Sequence, residues 1–481
     1  MNKARHLRCG LAAGTALLAG CATHVPQVLG PQIVPQSFVE RDAGRDSNWP
    51  KPDWWQQFGS PELSDFILRA QTDNRDLAVA AAGVAEAHAQ TIIQRASLFP
   101  QLNLQAQGER SKPGGAPSGI SSYPSGNSFG LTLGASYEVD VWGLARSNLR
   151  AATEALKAAR FSQQAVALTV TANVANAYFS VLALRKRIAI ANEDILAIND
   201  ILRTIQLRVT TGTSSHLDLA QERAQVESVE AELPQLEEQE LEARLALAVL
   251  LGQPPESFEV KMSNLEAIHP PLVNPGLPSD LLLRRPDVAQ AEADLASAHA
   301  SLDAARAAFL PQFALNGSDG FASAAIGALL HGPSIAWDYG GSVLQTVFDG
   351  GKLVGQKQLA EGTQQQLIAS YQRSVLNAYA DVESALGQVR HSALAQQHLG
   401  HEVDAAREAF QISQLQYRQG TTDLLTVLQS QQTLFSAEDQ LAQITLARMQ
   451  SVVHLYEALG GGWLEQPAER TQFIATSVPT S

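Results

Sequence analysis

The sequence predicts a mixed α and β membrane protein, with four antiparallel transmembrane strands and long antiparallel helices in each chain. Three observations predict this class. The chain is internally duplicated, each half contains two segments with alternating apolar and polar residues, and each half contains a helical pattern about 69 residues long. The predicted division is a signal peptide (1–20), an N-terminal anchor and equatorial wrap (21–60), a first repeat (61–275), a second repeat (276–463) and a C-terminal tail (464–481).

The beginning of the chain predicts export and lipid attachment. MNKARHLRCGLAAGTALLAGC places three basic residues before a short apolar run, Leu11 to Ala19, which is too short to span a bilayer as a helix. It ends in LAGC (18–21), which resembles a bacterial lipobox. In that interpretation Cys21 becomes the mature N-terminus and carries a palmitate-containing lipid. The alternative is an ordinary signal peptide that is cut elsewhere.

Composition excludes several classes of protein. Hydrophobic residues make up 45% of the chain and charged residues 17%, which is unlike a disordered protein. Cys9 and Cys21 are the two cysteines, so the mature protein has no disulfide and suits an oxidising compartment. Removing residues 1–20 removes three basic and no acidic residues and moves the formal charge from −14 to −17, which argues against nucleic acid as a partner.

No run of about 18 apolar residues is recognised after residue 21, so no helix is expected to span a membrane. Because unpaired backbone groups are too costly in lipid, any span must then come from β-strands that close into a barrel.

The duplication shows in three pairs of segments. RASLFPQLNL (95–104) resembles RAAFLPQFAL, which begins 211 residues later, and TTGTSSHLDLAQ (210–221) lies 208 residues before RQGTTDLLTVLQ. Gly252 in LLGQ likewise lies 208 residues before Gly460. Each half therefore repeats one order of elements.

In each half a helical pattern with alanine-rich faces leads to a proline and then to two predicted strands. The helices are predicted at 61–99 and 287–310, ended by Pro100 and Pro311, and the strands at about 101–110, 127–141, 311–320 and 334–348. A period of two with one apolar face suits a strand between lipid and water, although a soluble hairpin gives the same pattern. Loops at 111–126 and 322–333 join the strands.

Two long helical hairpins follow, predicted at 144–252 and 352–460. The 69 residues that precede Gly212, and those that precede Gly420, correspond to helices about 100 Å long, with return arms of about 60 Å. Glycine tolerates the left-handed backbone at a helix C-terminus, so Gly212 and Gly420 are predicted to reverse the chain. The pairs Thr213/Ser214 and Thr421/Thr422 are predicted to cap the next helices.

Four strands cannot close a barrel, because the smallest membrane barrels have eight strands. An open sheet edge in lipid is excluded, so at least two copies of the chain are expected to share one barrel.

Catalytic and nucleotide-binding motifs are absent from the sequence: it contains no G-x-x-x-x-G-K-[ST], G-x-S-x-G or H-E-x-x-H. We therefore expect no enzyme activity, no metal site and no cofactor besides the lipid on Cys21. His391, His398 and His401 lie on one helix face, which favours a solvated surface over a metal site. The tryptophans of WPKPDWW (49–55) favour packing over sugar binding.

Five segments carry a resemblance to a known family. They are WWQQFGSPELSDFI (54–67), NRDLAVAAAGV (74–84), SYEVDVWG (136–143), GLPSDLLLRRPDVAQAEADLASAHASLDAARAAFLPQ (276–312) and YEALGGGW (456–463). The chain resembles the outer-membrane efflux factor family of TolC-like channels, in its OprM/NodT-type lipoprotein branch.

The resemblance implies a homotrimer with a 12-stranded barrel in the Gram-negative outer membrane and a 12-helix tunnel through the periplasm. It implies an inner-membrane pump and a periplasmic adaptor as partners, and passive export of small molecules such as drugs or other toxic compounds. Two alternatives remain: the outer-membrane channel of a protein secretion system, and a structural lipoprotein without a pore.

The resemblance also implies a gate at the periplasmic tip. Asp218 falls at the position of an acidic residue that holds one hairpin to its neighbour, and Tyr417 matches a tyrosine of the same latch. Some members of the family have an arginine at the position of Thr422 in this chain, where the nearby basic residue is Arg418. A solvated helix tip is the alternative interpretation.

In the family, aspartates form a ring across the closed pore. The corresponding positions in this chain are Thr426 and Gln429, which carry no charge. The nearby acidic residue is Asp423. The loss of both charges argues against the family's cation-binding ring at these two positions, but the sequence does not decide whether the gate carries one.

Overall fold

The computed structural model describes residues 38–39, 49–111, 126–262, 265–271, 281 and 284–463. The predicted signal peptide with Cys21, the C-terminal tail, and most of the N-terminal wrap and of the first strand loop lie outside the described residues. Besides short 3₁₀ helices, the described residues form these α-helices and strands in chain order: α1 (Pro61–Asp73), α2 (Arg75–Ala96), β1 (Gln101–Ser111), β2 (Gly126–Val139), α3 (Leu144–Thr210), α4 (His216–Leu250), α5 (Pro286–Ala307), β3 (Gln312–Ser323), β4 (Ile335–Leu344), α6 (Lys352–Gln419) and α7 (Leu424–Ala458).

The helical pattern predicted at 61–99 is two helices, and Asn74 separates them. Its backbone is extended, and its side-chain oxygen accepts hydrogen bonds from the amides of Asp76 and Leu77, at 2.8 and 3.1 Å. This is the geometry of an N-cap, so a new helix begins at Arg75 instead of the first one continuing.

Asn74 also makes a contact within the first repeat that has a counterpart within the second. Its side-chain amide donates to the carbonyl of Leu250 at the end of α4, at 2.8 Å. In the second repeat Arg285 donates to the carbonyl of Ala458 at the end of α7, at 3.3 Å. In each repeat, the start of the helix that leads to the strands (α2 or α5) is thus hydrogen-bonded to the end of the last helix of the hairpin (α4 or α7).

The same junction explains a repeated glycine. Gly252 and Gly460 have φ of 66° and 82°. A Cβ at these positions would lie 2.3 Å from the carbonyl oxygen of Asp73 and 1.7 Å from that of Arg284, respectively. Both the left-handed backbone and the close approach require glycine.

The four strands form one antiparallel sheet in the order β1-β2-β3-β4. The register aligns Leu104 with Leu133, Leu133 with Asp319, and Asp319 with Trp337. These residues share one face, which is apolar apart from Asp319, glycines, and Arg110, Asn127 and Ser323 near the strand ends. It carries Leu102, Leu104, Ala106, Phe129, Leu131, Leu133, Ala135, Tyr137, Val139, Phe313, Leu315, Phe321, Ile335, Trp337, Tyr339 and Val343.

The opposite face carries mainly glutamine, asparagine, serine, threonine and glycine. The predicted alternation is therefore present, with small differences at the strand ends. β3 continues to Ser323 and β4 ends at Leu344, four residues before the predicted end at 348.

The helices of the two hairpins have 67 and 35 residues in the first repeat and 68 and 35 in the second. α3 contacts α2, α4, α5 and α7, and thereby joins the two repeats.

Part of α3 corrects the expectation that no helix is apolar enough to span a membrane. Among the described residues, α3 is the one helix that is long enough and, over 18 residues, apolar enough to cross a membrane. Half of those 18 residues are buried inside the protein. Side chains such as Val174, Phe179 and Leu182 are fully buried, so the apolar character of this segment serves core packing.

The main core surrounds this part of α3. Trp54, 1% exposed, stacks on Tyr456 with ring centroids 4.7 Å apart, and Phe58 packs against Phe179 at 5.1 Å. Trp54 and Trp55 are buried in the core cluster, which confirms packing as the role of these two tryptophans.

Candidate functional site at the tips of the helical hairpins

Each hairpin reverses at a glycine, as predicted. Gly212 and Gly420 have φ of 74° and 77°. Beyond Gly420, the amide of Thr421 donates to the carbonyl of Gln416 at 3.0 Å. This bond satisfies a carbonyl that the helix end would otherwise leave unpaired.

The predicted caps of the returning helices were wrong. Ser215 caps α4, instead of Thr213 or Ser214: its hydroxyl accepts from the amide of Asp218 at 3.0 Å, and the Asp218 carboxylate accepts from the amide of Ser215 at 3.0 Å. The Thr213 hydroxyl instead donates back to the carbonyl of Arg208. Thr213 is bonded to the end of the outgoing helix α3, so the cap falls two residues later, on Ser215.

Asp423 caps α7 in the same way, instead of Thr421 or Thr422. Its carboxylate accepts from the amide of Thr426 at 2.9 Å and from the Thr426 hydroxyl at 2.6 Å. These hydrogen bonds lower the pKa of Asp423. Asp423 and Thr426 are thus engaged with each other within one helix start.

Asp218 is also occupied within its own turn. Besides the capping box, its carboxylate accepts from the Ser214 hydroxyl at 2.9 Å. The hydrogen bond from the backbone of Ser215 is the main cause that lowers its pKa. Among the described residues, no ion pair joins Asp218 to Arg418, and Arg418 is exposed.

A small apolar cluster joins the tips of the two hairpins; we call it the tip cluster. Ile201 and Ile205 of α3 are buried against Leu424 and Val427 of α7. The half-buried side chains that pack on this cluster include Leu219, Phe410 and Tyr417. All four long helices therefore contribute to it.

Arg208 is the basic residue that contacts Tyr417, and sequence reasoning missed it. Its guanidinium carbon lies 4.5 Å from the centroid of the Tyr417 ring. Its Nη2 donates to the carbonyls of Tyr417 and Arg418 at 3.3 and 3.5 Å. A cation is favourable at a helix C-terminus, so Arg208 of the first hairpin holds the end of α6 in the second.

The Tyr417 hydroxyl is buried and has no hydrogen-bond partner among the described residues. The structure therefore does not bring Asp218, Tyr417 and Arg418 together within one chain. A signal for Arg208 was available, since a basic residue in the last turn of a long helix suits interactions with carbonyls.

The remaining tip residues take two environments. Thr422 is half-buried, whereas Thr426 and Gln429 are exposed. Thr426 and Gln429 are three residues apart on α7, so they lie on one face of this helix.

Two polar contacts join α3 to α7 farther from the tip. The Gln431 side-chain amide donates to Asp194 at 2.8 Å. Arg187 pairs with Asp439 through two bonds, from Nε at 2.5 Å and from Nη2 at 3.3 Å. With Arg208, they form a row of contacts that would break if the hairpins separated.

The histidines of α6 lie away from such contacts. His391, His398 and His401 are exposed. Within the described part of the chain, no group of three or more His, Cys, Asp or Glu side chains is placed to hold a metal ion.

Comparison with known proteins shows which family has this architecture. The model of the outer membrane efflux protein family matches residues 67–253 and 277–461, which follow the two repeats. The pyoverdine export outer membrane protein OpmQ of Pseudomonas putida is 37% identical over 468 residues, which cover 96% of this chain and 98% of that protein.

Solved structures agree with this assignment. The outer-membrane channel OprN has a TM-score of 0.85 and 27% identity, with 91% of this chain and 99% of that chain covered. The open state of the Neisseria gonorrhoeae MtrE outer membrane channel has a TM-score of 0.81 and 29% identity, with 90% and 96% covered. The protein is a member of the outer membrane efflux protein family and has its mixed fold of four antiparallel strands and long antiparallel helices.

Proposed function

We propose that the protein is the exit duct of a tripartite efflux pump, a homotrimer that passively exports small molecules across the outer membrane. The observation that carries this proposal is the sheet: one mostly apolar face, one polar face, and two edges, β1 and β4, that have no partner strand among the described residues. Lipid does not tolerate open sheet edges, so β4 of one copy pairs with β1 of the next.

Strand length supports this arrangement. The four strands have 11, 14, 12 and 10 residues, and a tilted strand needs about 9–11 residues to cross a bilayer. Three copies give twelve strands and a lumen lined by the polar face. The helical hairpins of three copies then form the periplasmic tunnel.

The energy for export comes from partners. Because the sequence contains no nucleotide-binding loop, an inner-membrane pump drives transport and a periplasmic adaptor joins the pump to the helical tips. The protein itself is no enzyme and needs no cofactor. OpmQ is named for pyoverdine export, which supports a small-molecule cargo, and the pump selects that cargo.

Anchoring involves the residues that precede the described chain. The signal peptide is removed before Cys21, which then carries lipid in the outer membrane. The lipid adds to the hold of the barrel and does not replace it.

The tip is the gate of the duct. The tip cluster and the contacts of Arg208, Asp194 and Arg187 join the first hairpin to the second, so opening requires the hairpins to separate and these contacts to break. That MtrE has been described in an open state supports two positions for such hairpins.

Planar-bilayer recording of the purified protein tests the duct, and accumulation of toxic compounds in cells that lack the protein tests efflux. We expect conductance and increased accumulation. A protein that assembles but never conducts, even with its gate contacts removed, is a structural lipoprotein. A conducting protein whose loss changes secreted proteins and not drug accumulation belongs to a secretion system.

A further inference from the structure

One buried carboxyl group near the tip has no role in the duct described so far. Glu222 of α4 is 0% exposed, and neither of its carboxyl oxygens has a hydrogen-bond partner among the described residues. An ionised carboxylate is unfavourable in such a place, because nothing replaces the water that it loses. Burial accordingly raises the pKa of Glu222 to about 7.

A second acidic group lies on the neighbouring helix. Asp194 of α3 accepts the hydrogen bond from Gln431 of α7, and burial raises its pKa to about 6 although that bond opposes the rise. Gln431 is only 2% exposed, and its carbonyl oxygen has no partner among the described residues. The negative charge of Asp194 further raises the pKa of Glu222.

The charges around these groups favour proton binding. Those that act on Asp194 are Glu232 of α4 and Glu438 of α7, both acidic. Glu438 is paired with Arg407 of α6 at 2.6 Å. The nearby Arg187 of α3 is paired with Asp439. Within the described chain, each of these two basic residues is thus engaged with another acid.

We propose that Glu222 of α4 and Asp194 of α3 form a proton-binding site within the first hairpin, where Asp194 also accepts the hydrogen bond from Gln431 of the second, and that bound protons keep α3 packed against α4 and α7 and the gate closed. The proposal rests on the proposed function, since it makes the same hairpin movement sensitive to pH. Helices that separate expose the carboxyl groups to water, where they release protons readily.

The direction of the pH effect follows from the pKa of Glu222. In the packed state it is about 7, and in water it returns toward 4.5. The packed state therefore binds the proton more tightly, so packing is strongest at low pH and weakens as the pH rises through 7. Between pH 6 and pH 8 the equilibrium constant for local opening rises about tenfold from this one group.

Amide hydrogen exchange of the full-length protein in detergent tests the site. After correction for intrinsic exchange rates, protection of the tip halves of α3, α4 and α7 is expected to fall about tenfold between pH 6 and pH 8. Glu222→Gln mimics the protonated acid and should remove most of this dependence, leaving the smaller part that comes from Asp194. Glu227→Gln alters an exposed glutamate of the same helix and should behave like the parent.

A second variant guards against misfolding of the first. Asp194→Asn removes the neighbouring charge and keeps an acceptor for Gln431, so the pH transition should move to lower pH. Equal pH dependence in the parent and Glu222→Gln, or no dependence in the parent, overturns the site. If either result is obtained with a protein that conducts, the proton-binding site is wrong and the proposed duct is still supported. If protection depends on pH but no variant conducts, the proton-binding site is supported and the proposed duct is wrong.

Discussion

The contact between Arg208 and Tyr417 gives the sharpest test of the gate. The guanidinium lies 4.5 Å from the ring centroid, and Arg208 is half-buried. Such a cation–π contact contributes about 1 kcal/mol, between the values for exposed and desolvated pairs. The two hydrogen bonds to carbonyls at the end of α6 are long, at 3.3 and 3.5 Å, so with the helix dipole they add about 1 kcal/mol.

Arg208→Gln should therefore weaken the closed state by about 2 kcal/mol per chain, which is roughly a 30-fold change in the opening equilibrium. Three chains that open together multiply this effect. We expect longer and more frequent openings in planar bilayers, and greater permeability of cells to large antibiotics. Tyr417→Leu should act in the same direction, whereas Tyr417→Phe should conduct like the parent, because the hydroxyl has no hydrogen-bond partner in the described part of the chain.

Arg203→Gln is the matched control. Arg203 lies on the same helix, forms an ion pair with Asp200 three residues away and donates to the carbonyl of Asn199, so these contacts stay within α3; the side chains of Arg203 and Asp200 are largely exposed. Its loss should leave conductance unchanged. If the conductance and open times of Arg208→Gln equal those of Arg203→Gln at every voltage, the assignment of Arg208 to the gate is wrong.

Three further predictions concern other parts of the chain. Cys21→Ser should lose metabolic labelling with palmitate; a labelled variant would contradict the lipobox. Gly460→Ala should lower the Tm by several degrees, because alanine is strained at φ of 82° and its Cβ would meet the carbonyl of Arg284, whereas Gly355→Ala, where no atom lies nearby, should not. Gln429→Asp should restore a carboxylate on the face of α7 that carries Thr426 and make conductance sensitive to divalent cations; equal sensitivity in Gln440→Asp, farther along the helix, would argue against a ring at the tip.

The fold was largely predictable because its signals are local or repeated. The matched glycines gave the lengths of both hairpins, and the alternation of residues such as Leu131 and Leu133 gave the strands. The contacts of Asn74 and Arg285 were not predictable. Both side chains donate a hydrogen bond to a carbonyl at a helix end, but one is an amide and the other a guanidinium, so no shared sequence pattern reveals the equivalence.

The site was predicted less well, since its side chains act across helices. Family resemblance directed attention to Asp218, whose carboxylate the structure places in its own capping box. Glu222 is one of many glutamates on α4, and only the packing of α4 shows that it is buried while Glu227 is not. The sequence does not specify which face of a helix rich in acidic residues turns inward.

The mass of the purified, detergent-solubilised protein tests the central claim most directly, because the claim rests on the unpartnered edges of β1 and β4. Light scattering that separates protein from detergent mass should give three chains, with no smaller species at equilibrium. A stable monomer that still inserts into lipid bilayers would contradict the account, since its four strands would leave both sheet edges open in the membrane.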